Sequence, residues 1–172
     1  MSGPKTIDNG FQGFVMAHFV TGLIARRGAL QAFAASHQLP APIALTEVLG
    51  LLPLDEDVLD TLLPEPPEDF VAGFNTLSPP LMAALKAGSQ RATLLYFETE
   101  YFGGMGTQGA AVFRDGDVVF GPQAAELGPI NNALAVLGVR TVPPAVDEFE
   151  TVGLHRHRST DEWFAAAADG GA

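Results

Sequence analysis

The residues best able to do chemistry gather in two short segments. Glu98 and Glu100 stand two apart within residues 92–102 (ATLLYFETEYF), and on a strand that spacing puts both carboxylates on one face. Such a pair can divide acid and base roles, or ligate a metal, when its surroundings separate the two pKa values. Just beyond, Gly104, Gly106 and Gly109 spell G-x-G-x-x-G, which after a strand presents backbone N–H groups to a pyrophosphate if a helix follows. Here residues 110–116 (AAVFRDG) read as a strand and a turn, so the phosphate-holding helix is missing. The P-loop spacing from Gly104 to Gly109 fails as well, because Ala110 and Ala111 stand where Lys and Ser or Thr are needed. A kinase-type nucleotide cover would need V-A-I-K, H-R-D and D-F-G elements that this chain lacks. The segment therefore reads as a glycine-rich connection between strands whose backbone needs positive φ or close packing, and no cofactor is expected.

The second segment is His155-Arg156-His157-Arg158. Histidines at i and i+2 can share a metal only if a third ligand arrives, and the remaining His18 and His37 form no ligand-like pair. No metal is expected. Acids at 147–150 and at Asp161-Glu162 flank the cluster, which points to intramolecular ion pairs, with anion binding as the other option. There is no cysteine and no G-x-S-x-G, which removes thiol chemistry, disulfides, cysteine-ligated zinc and the nucleophile elbow. Asn131-Asn132, after Gly128-Pro129, reads as a local turn contact. No complete catalytic constellation is present, so enzyme status stays open and leans to no.

Positioning these groups falls to a chain of 172 residues with 47% hydrophobic content and net charge −11. That length lets one domain over residues 1–172 bury about 70% of the surface its unfolded form exposes. The charge is uneven. Residues 1–27 carry +2, residues 28–85 contain no Lys or Arg and carry −8, and the remainder carries −5. Seven of the eight acids in the middle span fall between Asp55 and Asp69, a field that repels nucleic acid and attracts a basic protein. The plainer alternative is a solvated face that keeps the chain soluble. With no apolar stretch of signal-peptide or membrane-spanning kind, the expected location is the cytoplasm, and no membrane partner is expected.

Periodicity and turn residues assign the elements. Residues 14–20 (FVMAHFV) read as a buried strand or the start of a helix, 23–38 as a helix, 46–52 as a short helix, and 55–63 as a helix capped by Asp55. Residues 81–87 form a helix after Ser78-Pro79-Pro80. An antiparallel meander of three strands follows at 92–102, 109–113 and 117–120, with Asp115-Gly116 as a type I′ turn. A helix at 126–137, a strand at 139–142 and a helix at 160–168 complete the chain. The expected fold is a single α+β domain: helices first, then a small antiparallel meander sheet in the C-terminal half, with terminal helices packed on it.

Residues 99–111 (TEYFGGMGTQGAA), 129–134 (PINNAL) and Asp147-Glu148-Phe149 resemble segments of small bacterial proteins, some of which are similar to immunity proteins. Such proteins bind and neutralise a cognate toxin in the cytoplasm. The resemblance covers the C-terminal half and brings no catalytic role with it. Together with the acidic span it implies a non-enzymatic binding protein that occludes a basic, toxin-like partner. Asp55, Glu56, Asp57 and Asp60 would steer that partner, and Glu98, Glu100, Tyr101, Phe102, Met105 and Gln108 would supply contacts. The alternatives are a small enzyme or ligand-binding domain using the glycine-rich segment with Glu98 and Glu100, and a structural or oligomerising module. Oligomeric state is not legible in the sequence.

Overall fold

The computed structural model describes residues 17–170. Its strands are β1 (Thr21–Arg26), β2 (Ile43–Ala44), β3 (Leu49–Pro53), β4 (Leu94–Phe102), β5 (Met105–Arg114) and β6 (Asp117–Ala125). Its helices are α1 (Arg27–Ser36), α2 (Glu56–Leu62), α3 (Pro79–Gly88), α4 (Pro129–Val136), α5 (Glu148–Thr151) and α6 (Thr160–Ala168), with a 3-10 turn at Leu154–Arg156. The fold is α+β, and all six strands join one antiparallel sheet in the order β2-β3-β1-β4-β5-β6.

The C-terminal meander forms as expected, and the Asp115-Gly116 turn has the positive φ values of a type I′ hairpin (54° and 82°). The sheet is larger than expected because the N-terminal part contributes three strands. Residues 23–26 are strand rather than helix, and the 46–52 segment is a turn leading into β3. The physical reason is the same in both places. Leu23, Ile24, Leu51 and Leu52 are buried on alternating faces of the sheet interior, and a short, uninterrupted apolar run has no period that separates strand from helix. Only the helical part of 23–38 remains, from Arg27 onward. Residues 14–16 lie outside the described residues, and 17–20 make isolated bridges, His18 to Tyr101 and Phe19 to Ser159, rather than a regular element. No strand forms at 139–142.

Helices cover both faces. One apolar cluster joins Leu23, Tyr96 and Phe113 of the sheet to Leu30 and Phe33 of α1, Val58 of α2, and Leu81 and Leu85 of α3. The other joins Ile24, Leu51, Phe97 and Val112 to Ile130 and Leu134 of α4, Leu154 of the 3-10 turn and Trp163 of α6. Local signals start α2 and α3 where expected. The Asp55 carboxylate accepts the Val58 N–H (2.9 Å), and the Ser78 hydroxyl accepts that of Leu81 (3.3 Å). The sheet edges resist further pairing: β2 has two residues, and β6 carries Gly121-Pro122 where its register with β5 shifts. Among the described residues, no helix is long and apolar enough to cross a membrane.

Candidate functional site

Strand register divides the molecule into two ends. Gly22 pairs with Pro53 and Thr21 with Glu98, so the start of α2 and the outer half of the β4–β5 hairpin lie at the same end. At the opposite end are Arg26 opposite Leu49, and Leu94 opposite Phe113.

At the first end, the glycine-rich segment is a hairpin rather than a long loop. Phe102 pairs with Met105, and Gly103 and Gly104 turn the chain with φ of 61° and 78°, the type I′ geometry that only residues tolerating positive φ adopt readily. A Cβ on Gly106 would run into the Glu100 carbonyl oxygen of the paired strand. Two of the three motif glycines, Gly104 and Gly106, thus serve the turn and the strand pairing.

Alternation along β4 puts Glu98, Glu100 and Phe102 on the face of Leu94 and Tyr96, the face covered by α1, α2 and α3. The shared face was foreseen; the exposure was not. Glu98 is only 6% exposed. Its carboxylate accepts the backbone N–H groups of Asn75, Thr76 (3.0 Å) and Leu77 (3.1 Å), and the Tyr96 hydroxyl. Four donors saturate it, so Glu98 is a clasp that pins residues 75–77 to the sheet, neither a solvent-facing contact nor a free acid or base. Burial and the adjacent Glu98 push the Tyr96 phenol well above its ordinary pKa. Glu100 is exposed and takes a hydrogen bond from the Asn75 side chain. Phe19, Thr21, Asn75, Thr76 and Thr99 join the two glutamates around an open hollow of about 340 Å³.

Other expected contacts separate in the same way. Phe102 and Met105, 65% and 80% exposed, form an apolar hairpin tip. Gln108 is half-buried: its amide N–H donates to the Tyr101 hydroxyl (2.9 Å) and its carbonyl accepts the Ile130 N–H (2.9 Å), which fixes the start of α4 against β5. The Tyr101 hydroxyl donates to the Glu126 carbonyl. Gln108 and Tyr101 hold the hairpin to the following segment. On α2, Glu56, Asp57 and Asp60 are exposed, whereas Asp55 is half-buried and committed to its cap.

The 155–158 cluster is dispersed. Arg156 donates to the Leu45 carbonyl (2.8 Å) rather than to an acid, the Arg158 backbone N–H donates to Glu162 (2.7 Å), and the His157 ring meets Trp163 edge-on at 4.5 Å. Among the described residues, no three of His, Asp and Glu gather as a metal site would require.

His18, which sequence reasoning set aside, is held between the bridges of residues 17–20. Its Nδ1 lies 2.6 Å from the Thr99 hydroxyl, while Nε2 has no hydrogen-bond partner among the described residues. Burial lowers its pKa, the Leu154 backbone opposes that shift, and Arg158 and Glu162 act in opposite directions. A depressed pKa means the folded state resists protonation that the unfolded chain accepts below about pH 6.5. This contribution is present above that pH and lost as pH falls through the folded value. The melting temperature should therefore drop between pH 7.5 and pH 5.5 more steeply in the native chain than in His18→Asn; parallel curves would remove His18 as the cause.

At the opposite end lies a cavity of about 660 Å³, lined by Arg26, Arg91 and Arg114 with Thr46, Thr93 and several aliphatic side chains. Nothing in the sequence marks these arginines as a group, because strand pairing brings Arg26 and Arg114 together and the segment entering β4 adds Arg91. Comparisons of the chain with protein-family models, curated proteins and solved structures give no match.

Proposed function

We propose that this chain is a non-enzymatic binding protein of the immunity or inhibitor type, acting in the cytoplasm, that occludes a basic, toxin-like protein partner. One juxtaposition supports this most. The exposed Phe102–Met105 tip and Glu100 share one end and one face of the sheet with the start of α2, whose Glu56, Asp57 and Asp60 are exposed. An apolar anchor beside a carboxylate field suits a basic surface: the anchor is desolvated on contact, and the charges raise the rate of encounter. Asp55, Glu98, Tyr101 and Gln108 support the surface from beneath. The saturation of Glu98 by four donors counts against acid–base work by the Glu98–Glu100 pair.

The test begins with a pull-down from the native host, identifies what co-purifies by mass spectrometry, and continues with the purified pair. Neutralising Glu56→Gln, Asp57→Asn and Asp60→Asn together spares the Asp55 cap. It should slow association about tenfold at low salt, with the difference vanishing at high salt, where the charges are screened. Phe102→Ala with Met105→Ala should instead speed dissociation. An association rate indifferent to the triple neutralisation at low salt would refute steering, and a partner of acidic character would refute the reading as a whole.

A further inference from the structure

The cavity at the far end of the sheet has a composition that the chain as a whole does not. In a protein of net charge −11, three of the side chains lining this cavity are arginines, and no Asp or Glu among the described residues lines it. The register explains how they meet. Arg26 of β1 pairs with Leu49 of β3, and continuing the β1–β4 and β4–β5 pairings by two residues and one residue places Thr93 opposite both Arg26 and Arg114. Arg26, Thr93 and Arg114 thus form one row across three adjacent strands, on the face covered by α4. Two strand spacings separate the outer members, about 10 Å between backbones, a gap that two arginine side chains can close around one anion. The Arg114 Nε–H donates to the Thr93 hydroxyl (3.2 Å), which orients that guanidinium over the row. Arg91 comes from the segment that enters β4.

Two further features suit an anion. The first turn of α1 forms part of the wall through Ala29; its Arg27 N–H donates to the Val48 carbonyl (2.9 Å), but the turn contains no acid and has no side-chain cap, so no negative charge within it offsets the partial positive charge of the helix start. The rest of the lining includes Val48, Leu49, Leu137, Val139 and Val152. A bare oxyanion fills a small part of 660 Å³, a volume in the range of small-molecule sites. Guanidinium forks match the oxygens of a phosphoryl group, and a dianion gains most from three of them. From this juxtaposition of three arginines, an acid-free helix start and an apolar wall, we infer that the cavity binds a small organic phosphate. Its phosphoryl group sits on the Arg26–Thr93–Arg114 row with Arg91, and its apolar body lies against Leu137 and Val139. The site is separate from the acidic end and does not depend on the protein-binding reading.

Three probes test this: inorganic phosphate, phenyl phosphate and benzoate, each followed by thermal shift and calorimetric titration at low salt on the full chain. Phenyl phosphate should stabilise the protein most, inorganic phosphate less, and benzoate least, since a ligand selective for the native state raises its melting temperature. Arg91→Ala with Arg114→Ala should weaken phenyl phosphate at least about tenfold, the scale of losing charge-assisted hydrogen bonds. Ala29→Asp puts a carboxylate into the wall at a helix position that favours acids. It should raise the melting temperature without ligand yet abolish the phenyl phosphate shift, which separates loss of the site from loss of the fold. The proposal is overturned by the absence of any shift with phenyl phosphate, by benzoate matching phenyl phosphate, or by binding that survives in the double arginine variant.

Discussion

Replacing Glu98 with alanine is expected to cost about 3–5 kcal/mol of folding stability, because each buried donor left without an acceptor costs about 1–3 kcal/mol and partial hydration recovers some of it. The variant would orphan the N–H groups of Asn75, Thr76 and Leu77 and the hydroxyl of the fully buried Tyr96. Urea unfolding followed by circular dichroism measures the loss, and amide exchange at 75–77 should accelerate before the rest of the chain. Glu98→Gln keeps one carbonyl acceptor and should lose less, about 2 kcal/mol, its amide NH2 facing donors that it cannot serve. A change below about 0.5 kcal/mol for Glu98→Ala, the range of ordinary surface substitutions, would mean the clasp does not hold the segment. The phenol adds a pH signature. Its pKa is raised, so the unfolded chain ionises first, above about pH 10; stability is complete below that pH and declines as pH rises through it toward the folded value. Tyr96→Phe should flatten this alkaline decline.

Trp163→Ala is the second large effect, about 3–5 kcal/mol by the cost of emptying a buried aromatic site. Trp163 is fully buried in the cluster beneath α4, and it anchors a helix whose entry holds residues 18–21. Phe19 donates to the Arg158 carbonyl (2.8 Å), Thr160 donates to the Phe19 carbonyl (3.1 Å), and the Thr21 N–H donates to the Thr160 hydroxyl (3.1 Å). Loosening α6 should therefore also expose the segment before β1 to proteolysis. Trp163→Phe is the discriminating control. The indole N–H has no hydrogen-bond partner among the described residues, so the phenyl ring sacrifices volume but no bond, and the loss should be about 1–2 kcal/mol. If the two variants lost equal stability, volume would not be what Trp163 contributes.

What could be read from residues alone followed the strength of local signals. The Asp55 and Ser78 caps, the Asp115-Gly116 turn and the alternation of β4 each depend on chemistry within a few residues, and each appears in the fold. The 21–26 and 49–53 strands did not show, because interior strands of a sheet covered on both faces lose the polar–apolar alternation that identifies a strand. The candidate site divided along the same line. Phe102 and Met105 are exposed at a hairpin tip, whereas Glu98 and Gln108 turned inward to backbone N–H groups that the sequence places 21 or more residues away.

The sequence by itself determined the α+β class, the C-terminal meander, the starts of α2, α3 and α6 and the concentration of negative charge between residues 55 and 69, since composition, caps and turn dipeptides act locally. Tertiary structure alone decided which carboxylate would be free and which saturated, and that the acids of α2 share an end with the hairpin tip. It alone gathered Arg26, Arg91 and Arg114 at the other end. Those outcomes depend on strand register, and register is set by which faces can be buried together across the whole sheet.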